Sequence, residues 1–118
     1  MDRDVDKLSD RFLEFAARAG VVVDALPDTR LGRHIAGQLV RCGTSSGANY
    51  EEARAAESKA DFVHKLAICL KELRETRYWI RLAAKAKLIV PERLDEIADE
   101  CEQLCRITAK SILTAKGK

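Results

Sequence analysis

Four stretches of this chain repeat apolar residues at three- and four-residue steps, and this period constrains the fold more than any other feature of the sequence. Such steps place the apolar side chains on one face of an α-helix. Residues typical of helix ends lie between these stretches, namely Pro27, Pro91 and the pair Ser58 and Asp61. The pattern predicts helices over residues of about 3–25, 29–54, 59–87 and 91–115.

The links between these helices are only a few residues long, which favours neighbours that pack side by side in opposite directions. We therefore expect an all-α protein, an antiparallel up-down-up-down four-helix bundle, with residues 1–118 forming a single domain. The side chains expected to fill its core share the apolar stripes. They are Leu8, Phe12, Phe15, Ala16, Ala19, Val22, Val23 and Leu26 in the first helix, Leu31, Ile35, Leu39, Cys42, Ser46, Asn49 and Ala53 in the second, Phe62, Leu66, Cys69, Leu73, Ile80 and Ala84 in the third, and Leu94, Ile97, Ala98, Cys101, Leu104, Cys105, Thr108 and Ile112 in the fourth.

Composition excludes two classes of protein. Hydrophobic residues make up 47% of the chain and charged residues 34%, a balance that is not typical of disorder. No apolar run approaches the roughly 20 residues needed to cross a bilayer, and the acidic N-terminus lacks a signal-peptide pattern. The four cysteines lie within apolar helical patterns, so we expect reduced thiols and a cytoplasmic protein without membrane contact.

The second predicted helix holds four of the six glycines, Gly32, Gly37, Gly43 and Gly47. A glycine inside a helix costs roughly 1 kcal/mol relative to alanine, so something should offset that cost. Close packing of a neighbouring helix is the favoured explanation, and a bend lined by a ligand is the alternative.

Two motifs resemble a known family. RCGTSSGANYEEA runs from Arg41 to Ala53, and SKADFVHKLAICLKELRETRYWIRL runs from Ser58 to Leu82. Their order and spacing resemble those of the four-helix bundle proteins named after the intervening sequence of 23S ribosomal RNA. The outer helices share only the architecture.

The resemblance implies a bacterial, cytoplasmic bundle that assembles as a homo-oligomer, with a pentamer as the expected size. It also implies no established enzymatic activity and no cofactor. It also places six residues on recurring motif positions of the family. These are Asn49, His64, Lys65, Glu72, Tyr78 and Trp79.

The third helix has a second apolar face. Ile68, Trp79 and Leu82 lie about 120° from its main apolar stripe on a helical wheel. An exposed patch that contains tryptophan is typical of a contact surface, so these residues are candidates for an oligomer interface. The alternative is that they wrap around a neighbouring helix of the same subunit.

The same helix is locally basic. Between Lys59 and Lys87 the chain has eight basic and three acidic residues, whereas the whole chain carries only +2. Five of the basic side chains fall within a sector about 120° wide beside Tyr78 and form a candidate nucleic-acid-binding band. The band consists of Lys71, Arg74, Arg77, Arg81 and Lys85. The alternative is a solvated face whose charges are paired with nearby acids.

Catalytic and metal sites find less support. Asp61 and His64 have the spacing of half a di-metal site, but His34 has Leu31 where a carboxylate is needed. Cys101 and Cys105 lack a companion pair for zinc. The best polar cluster is Asn49, Glu52, His64, Glu72 and Glu75. It is interpreted as a structural network that sets helix register, with a polar ligand pocket as the alternative.

These patterns favour a non-enzymatic homo-oligomer that binds RNA or DNA without reading sequence. The alternative function is a scaffold that recruits an unidentified protein partner through its oligomeric surface.

Overall fold

The protein is described from a computed structural model, which covers residues 3–117 and the side chains of residues 7–117. Its helices are α1 (Arg3–Ala25), α2 (Arg30–Arg54), α3 (Lys59–Lys85) and α4 (Asp95–Lys116), with a 3₁₀ turn over Pro91–Leu94 before α4. The covered part of the chain contains no strand. Residues 1, 2 and 118 of the predicted domain lie outside the described residues.

The ends of the helices follow from local chemistry. The Thr29 hydroxyl accepts a hydrogen bond from the Gly32 amide, and the Ser58 hydroxyl accepts one from the Asp61 amide, both at 3.0 Å. Each bond satisfies an amide that the first turn of a helix leaves free. At the other end, α3 stops two residues before the predicted position because Lys87 takes a left-handed φ of 57°.

Contacts between helices show that each neighbouring pair is antiparallel. In each pair of helices, contacts that lie further along one helix lie further back along the other, as the antiparallel arrangement requires; for α1 and α4, Arg11 meets Glu100 and Arg18 meets Glu96. The pairs are Ser9 with Glu51, Phe12 with Tyr50, Arg41 with Glu72, His34 with Trp79, Arg77 with Glu102, and Arg11 with Glu100. The expected up-down-up-down bundle is confirmed.

One apolar core runs between the four helices. Most of the side chains expected in the core are buried, and eight of the largest have no more than 2% of their surface exposed: Phe12, Phe15, Ile35, Leu39, Leu66, Leu73, Ile80 and Leu104. The prediction was wrong for Leu31, which is 39% exposed, and Leu8, Phe62 and Ile112 are only partly buried, because they lie at the edges of their stripes. Three polar residues share this interior, and two of them, Ser46 and Thr76, donate to carbonyl groups of their own helix. Among residues 7–117, no buried side-chain nitrogen or oxygen lacks a partner. None of the helices within residues 3–117 is long and apolar enough to span a bilayer.

Two of the glycines in α2 mark the closest approach of a neighbouring helix. A Cβ atom on Gly43 would lie 2.9 Å from the Ala19 Cβ, and one on Gly47 would lie 3.0 Å from the Phe12 Cβ. Both contacts are with α1, so the predicted close packing is confirmed at these positions. Gly37 differs, because a Cβ there would meet nothing within 4 Å.

Candidate nucleic-acid interface

A stripe of charged and aromatic side chains runs along the outer side of α3. It consists of Lys71, Arg74, Tyr78, Arg81 and Lys85, and we call it the α3 stripe. The residues recur at three- and four-residue steps, so they stack on one side of the helix over roughly 21 Å. All five are exposed. The Tyr78 side chain keeps 58% of its surface exposed, and its ring packs edge-on against Trp79 with centroids 5.0 Å apart.

The four basic members of the α3 stripe are free to meet a ligand. Within the part of the chain whose side chains are described, none of them lies within 4.0 Å of a carboxylate oxygen. Their charges therefore face water without a fixed counterion, as a phosphate-binding surface requires.

Arg77, the fifth member of the predicted band, occupies a different position. It lies on the side of α3 that faces α4, where its Nη1 donates to Glu102 Oε1 at 2.8 Å. This hydrogen bond raises the pKa of Arg77. The structure therefore separates Arg77 from the other four residues of the band. At this position the charge is paired with a nearby acid instead of being exposed for a phosphate.

Glu102 is surrounded by arginines. Its second oxygen lies 3.9 Å from Arg106 Nη2. The hydrogen bond from Arg77 lowers the pKa of Glu102, and the charges of Arg106 and Arg81 lower it further. Arg77, Arg81, Ala98 and Glu102 line an open depression of about 510 Å³ between α3 and α4.

The three candidates for an oligomer interface lie at the edge of α3 that faces α2. Ile68, Trp79 and Leu82 are half-buried, and Trp79 and Leu82 pack against the core of their own subunit. The Trp79 indole donates to Glu75 at 3.1 Å. Trp79 and Leu82 thus contact both the core of the chain and solvent, and Ile68 is half-buried.

A more exposed apolar surface lies elsewhere. Leu13 and Val21 on α1 are 69% and 67% exposed, and Val40 on α2 is 42% exposed. The register of the two helices, with Ala19 against Gly43, brings Val40 to the level of Val21. We call these three residues the α1–α2 face. The sequence analysis missed it, although Leu13, Ala17 and Val21 already showed a second apolar line on α1.

The predicted polar cluster does not meet in one place. Glu72 and Glu75 both bind Arg41, across the contact between α2 and α3. The Asn49 amide instead donates to the Ser45 carbonyl of its own helix at 2.9 Å. Two further members, Glu52 and His64, are exposed. The arrangement ties α2 to α3 through one arginine and builds no enclosed polar pocket from the five side chains.

The cysteines are buried and free. Burial raises the pKa of the Cys42 thiol and raises that of Cys69 to about 12. These two thiols stay protonated at neutral pH and are poor nucleophiles, whereas the hydrogen bond with Cys101 lowers the pKa of Cys105. Across residues 7–117, no three side chains of His, Cys, Asp or Glu converge as metal ligands would.

The fold and its surface define a class of protein, namely an all-α bundle with one basic helix face. The model of the family described as 23S rRNA-intervening sequence protein matches residues 8–110, and this chain belongs to that family. It is also similar to a crystal structure from Bacteroides thetaiotaomicron, described as a protein with unknown function from the S23 ribosomal protein family. The two share 36% identity and a TM-score of 0.82 over 88% of this chain and 96% of the other. No curated protein matches the chain.

Proposed function

We propose that this protein is a non-enzymatic, cytoplasmic nucleic-acid binder, with RNA as its ligand and the α3 stripe as its contact surface. The observation that supports this most directly is the row of four exposed cations without a carboxylate partner in the described structure. Cations held this way attract phosphates and release the counterions condensed on them. The four buried, free thiols are in keeping with a reducing compartment.

The stripe favours single strands without reading sequence. Its basic residues present charges to a backbone, and Tyr78 offers an exposed ring on which an unpaired base can stack. The stripe has no amide or carboxylate side chain to read adenine or cytosine edges, and its arginines and lysines can contact phosphates whatever the sequence.

The test is a fluorescence anisotropy titration of a labelled oligouridylate, repeated at several salt concentrations. In the test variant Arg74, Arg81 and Lys85 are changed to Glu, while Arg77 is kept because it pairs with Glu102. We expect the affinity to collapse and the salt dependence to flatten. Each lost phosphate contact removes about 0.7 from the slope of log K against log salt, so the slope falls by about 2.

The control variant changes Arg30, Lys59 and Lys116 to Glu. These residues are also exposed, and the change in net charge is the same, but all three lie outside the α3 stripe. We expect this variant to keep most of the affinity. Equal binding by the wild type and both variants would contradict the proposal.

We further propose that the protein assembles as a homo-oligomer, with a pentamer as the size implied by the family resemblance. The support is the family resemblance, and the exposed apolar side chains of the α1–α2 face are the candidate contacts. A closed ring would repeat the α3 stripe in every subunit and so multiply weak phosphate contacts.

Light scattering tests this assembly. We expect a mass several times that of the 13.2 kDa chain, and a lower mass for the variant Leu13→Ser/Val21→Ser. These positions are better probes than Trp79, whose replacement also removes contacts with the core of its own subunit. A wild-type protein with the mass of one chain at micromolar concentration would contradict the proposed assembly.

A second candidate function is a scaffold that recruits another protein through the α1–α2 face. The exposed apolar side chains that support assembly support this function equally. A monomer that binds no oligouridylate would favour it, whereas an oligomer that binds oligouridylate favours the first function.

A further inference from the structure

The ion pair between Arg77 and Glu102 lies beside the α3 stripe and interrupts the predicted basic band. Arg77 Nη1 is 2.8 Å from Glu102 Oε1, and the other carboxylate oxygen lies 3.9 Å from Arg106 Nη2. Neither partner is deeply buried, since the two side chains of the Arg77 pair keep 37% and 38% of their surface exposed. The pair is therefore accessible to a ligand from solution.

Among the described residues, Glu102 is the carboxylate that forms an ion pair with this band. The acidic residues of α3 point elsewhere, because Glu72 and Glu75 bind Arg41 on the side facing α2. On α4, Glu100 binds Arg11 of α1. Among residues 7–117, Glu102 is thus the carboxylate that forms ion pairs with Arg77 and Arg106, and the charge of Arg81 also acts on it.

A carboxylate and a phosphodiester compete for the same guanidinium groups. Each presents two oxygens that share one negative charge and that can accept two parallel N–H bonds from arginine. Glu102 is tethered next to Arg77, so a phosphate from solution must displace a group held at high effective concentration. After displacement, the carboxylate charge remains nearby and repels the phosphate.

We propose that Glu102 is a built-in competitor of phosphate, which keeps Arg77 away from nucleic acid and so weakens binding at the α3 stripe. This inference rests on the proposed function and concerns the regulation of the same surface. The arginines around Glu102 hold its pKa below the ordinary value, so the competing charge persists throughout the neutral range. The depression of about 510 Å³ between α3 and α4 leaves room for a phosphate beside the released arginine.

The test compares the wild type with Glu102→Gln in titrations of labelled oligouridylate at several salt concentrations. Glutamine keeps the size of the side chain and removes the charge, which frees Arg77 for one more phosphate contact. One added contact steepens the salt slope by about 0.7, so we expect affinity to rise about fivefold at about 0.1 M salt.

Two controls separate competition from other causes. Glu96→Gln makes the same change in net charge on α4, at an exposed residue that faces Arg18 of α1, and we expect it to change affinity little. The second control repeats Glu102→Gln in an Arg77→Gln background. If Glu102 acts through Arg77, most of the gain disappears there.

The outcomes distinguish this inference from the proposed function. If the wild type binds and Glu102→Gln binds equally or more weakly, the inference is overturned and the proposed function stands. Weaker binding by the variant would mean that Glu102 orients Arg77 for the ligand. No binding by either protein would overturn both. A gain that survives in the Arg77→Gln background would also overturn the inference, because it would reflect net charge alone.

Discussion

At the scale of single residues, the glycines of α2 have different reasons to be there. Gly43 lies where a Cβ would come within 2.9 Å of the Ala19 Cβ, whereas a Cβ on Gly37 would meet open space. Alanine at either site gains about 1 kcal/mol of helix propensity. At Gly43 that gain is opposed by overpacking, which typically costs about 1–3 kcal/mol.

We therefore expect Gly37→Ala to raise the free energy of unfolding by about 1 kcal/mol. Gly43→Ala should be less stable than Gly37→Ala by about 1–3 kcal/mol, because the propensity gain is common to both. Urea unfolding followed by circular dichroism measures the difference. Equal stabilisation by both changes would mean that α1 and α2 do not approach as closely as the structure shows.

Substitutions of Tyr78 can distinguish base stacking from attraction by charge alone. Its exposed ring is in position to stack on a base, and such stacking is worth about 1–3 kcal/mol. We expect Tyr78→Ala to weaken oligouridylate binding by that amount, while Tyr78→Phe, which keeps the ring, binds like the wild type. The same titrations measure both variants, and a loss shared by Tyr78→Phe would point to the hydroxyl instead of the ring.

At the scale of the helices, one well-formed ion pair joins α1 to α4. Arg11 donates from Nε and Nη2 to the two oxygens of Glu100, at 3.0 and 2.8 Å, and the Glu100 side chain is only 19% exposed. A two-point pair of this kind is stronger than an ordinary surface pair. The hydrogen bond to Glu100 accordingly raises the pKa of Arg11.

We expect Glu100→Gln to lower the free energy of unfolding by about 1 kcal/mol. Glu96→Gln is the matched control, because Glu96 also faces an arginine of α1 but lies 3.9 Å from it and is 89% exposed. That change should cost almost nothing. Thermal unfolding of the two variants measures the contrast, and equal effects would show that α1 and α4 are held together by other contacts.

At the scale of the whole molecule, the buried thiols couple stability to alkaline pH. The pKa of Cys69 rises from its ordinary value of 9.0 to about 12 because folding removes the thiol from water. The folded protein keeps this proton where the unfolded chain loses it. The stabilisation is thus complete below pH 9 and is lost as the pH rises toward 12.

We expect the free energy of unfolding to fall by about 2 kcal/mol between about pH 8 and about pH 11 from this thiol. Urea unfolding in the presence of a reductant measures the change. The variant Cys69→Ala, although less stable at every pH, should show a smaller fall over the same range. An equal fall would assign the alkaline loss to lysine and tyrosine side chains.

The helices, their order and most of the core follow from local patterns in the sequence. Apolar period, proline positions and the caps at Thr29 and Ser58 are local features, and a helix depends mainly on neighbours three or four residues away. The family motifs pointed to the same bundle. The early end of α3 was missed because a left-handed residue at Lys87 leaves no mark in the residue types.

Which charges are free and which apolar faces are covered depends instead on how the helices pack together. A helical wheel placed Arg77 with the other four cations, but the partner that removes it from them, Glu102, is on another helix. Trp79 likewise finds His34 and Glu75 beside it, and the most exposed large apolar residues include Leu13, Val21 and Leu113. Ion pairing and burial depend on contacts between residues that are far apart in the chain. A local pattern of residue types contains no information about those distances.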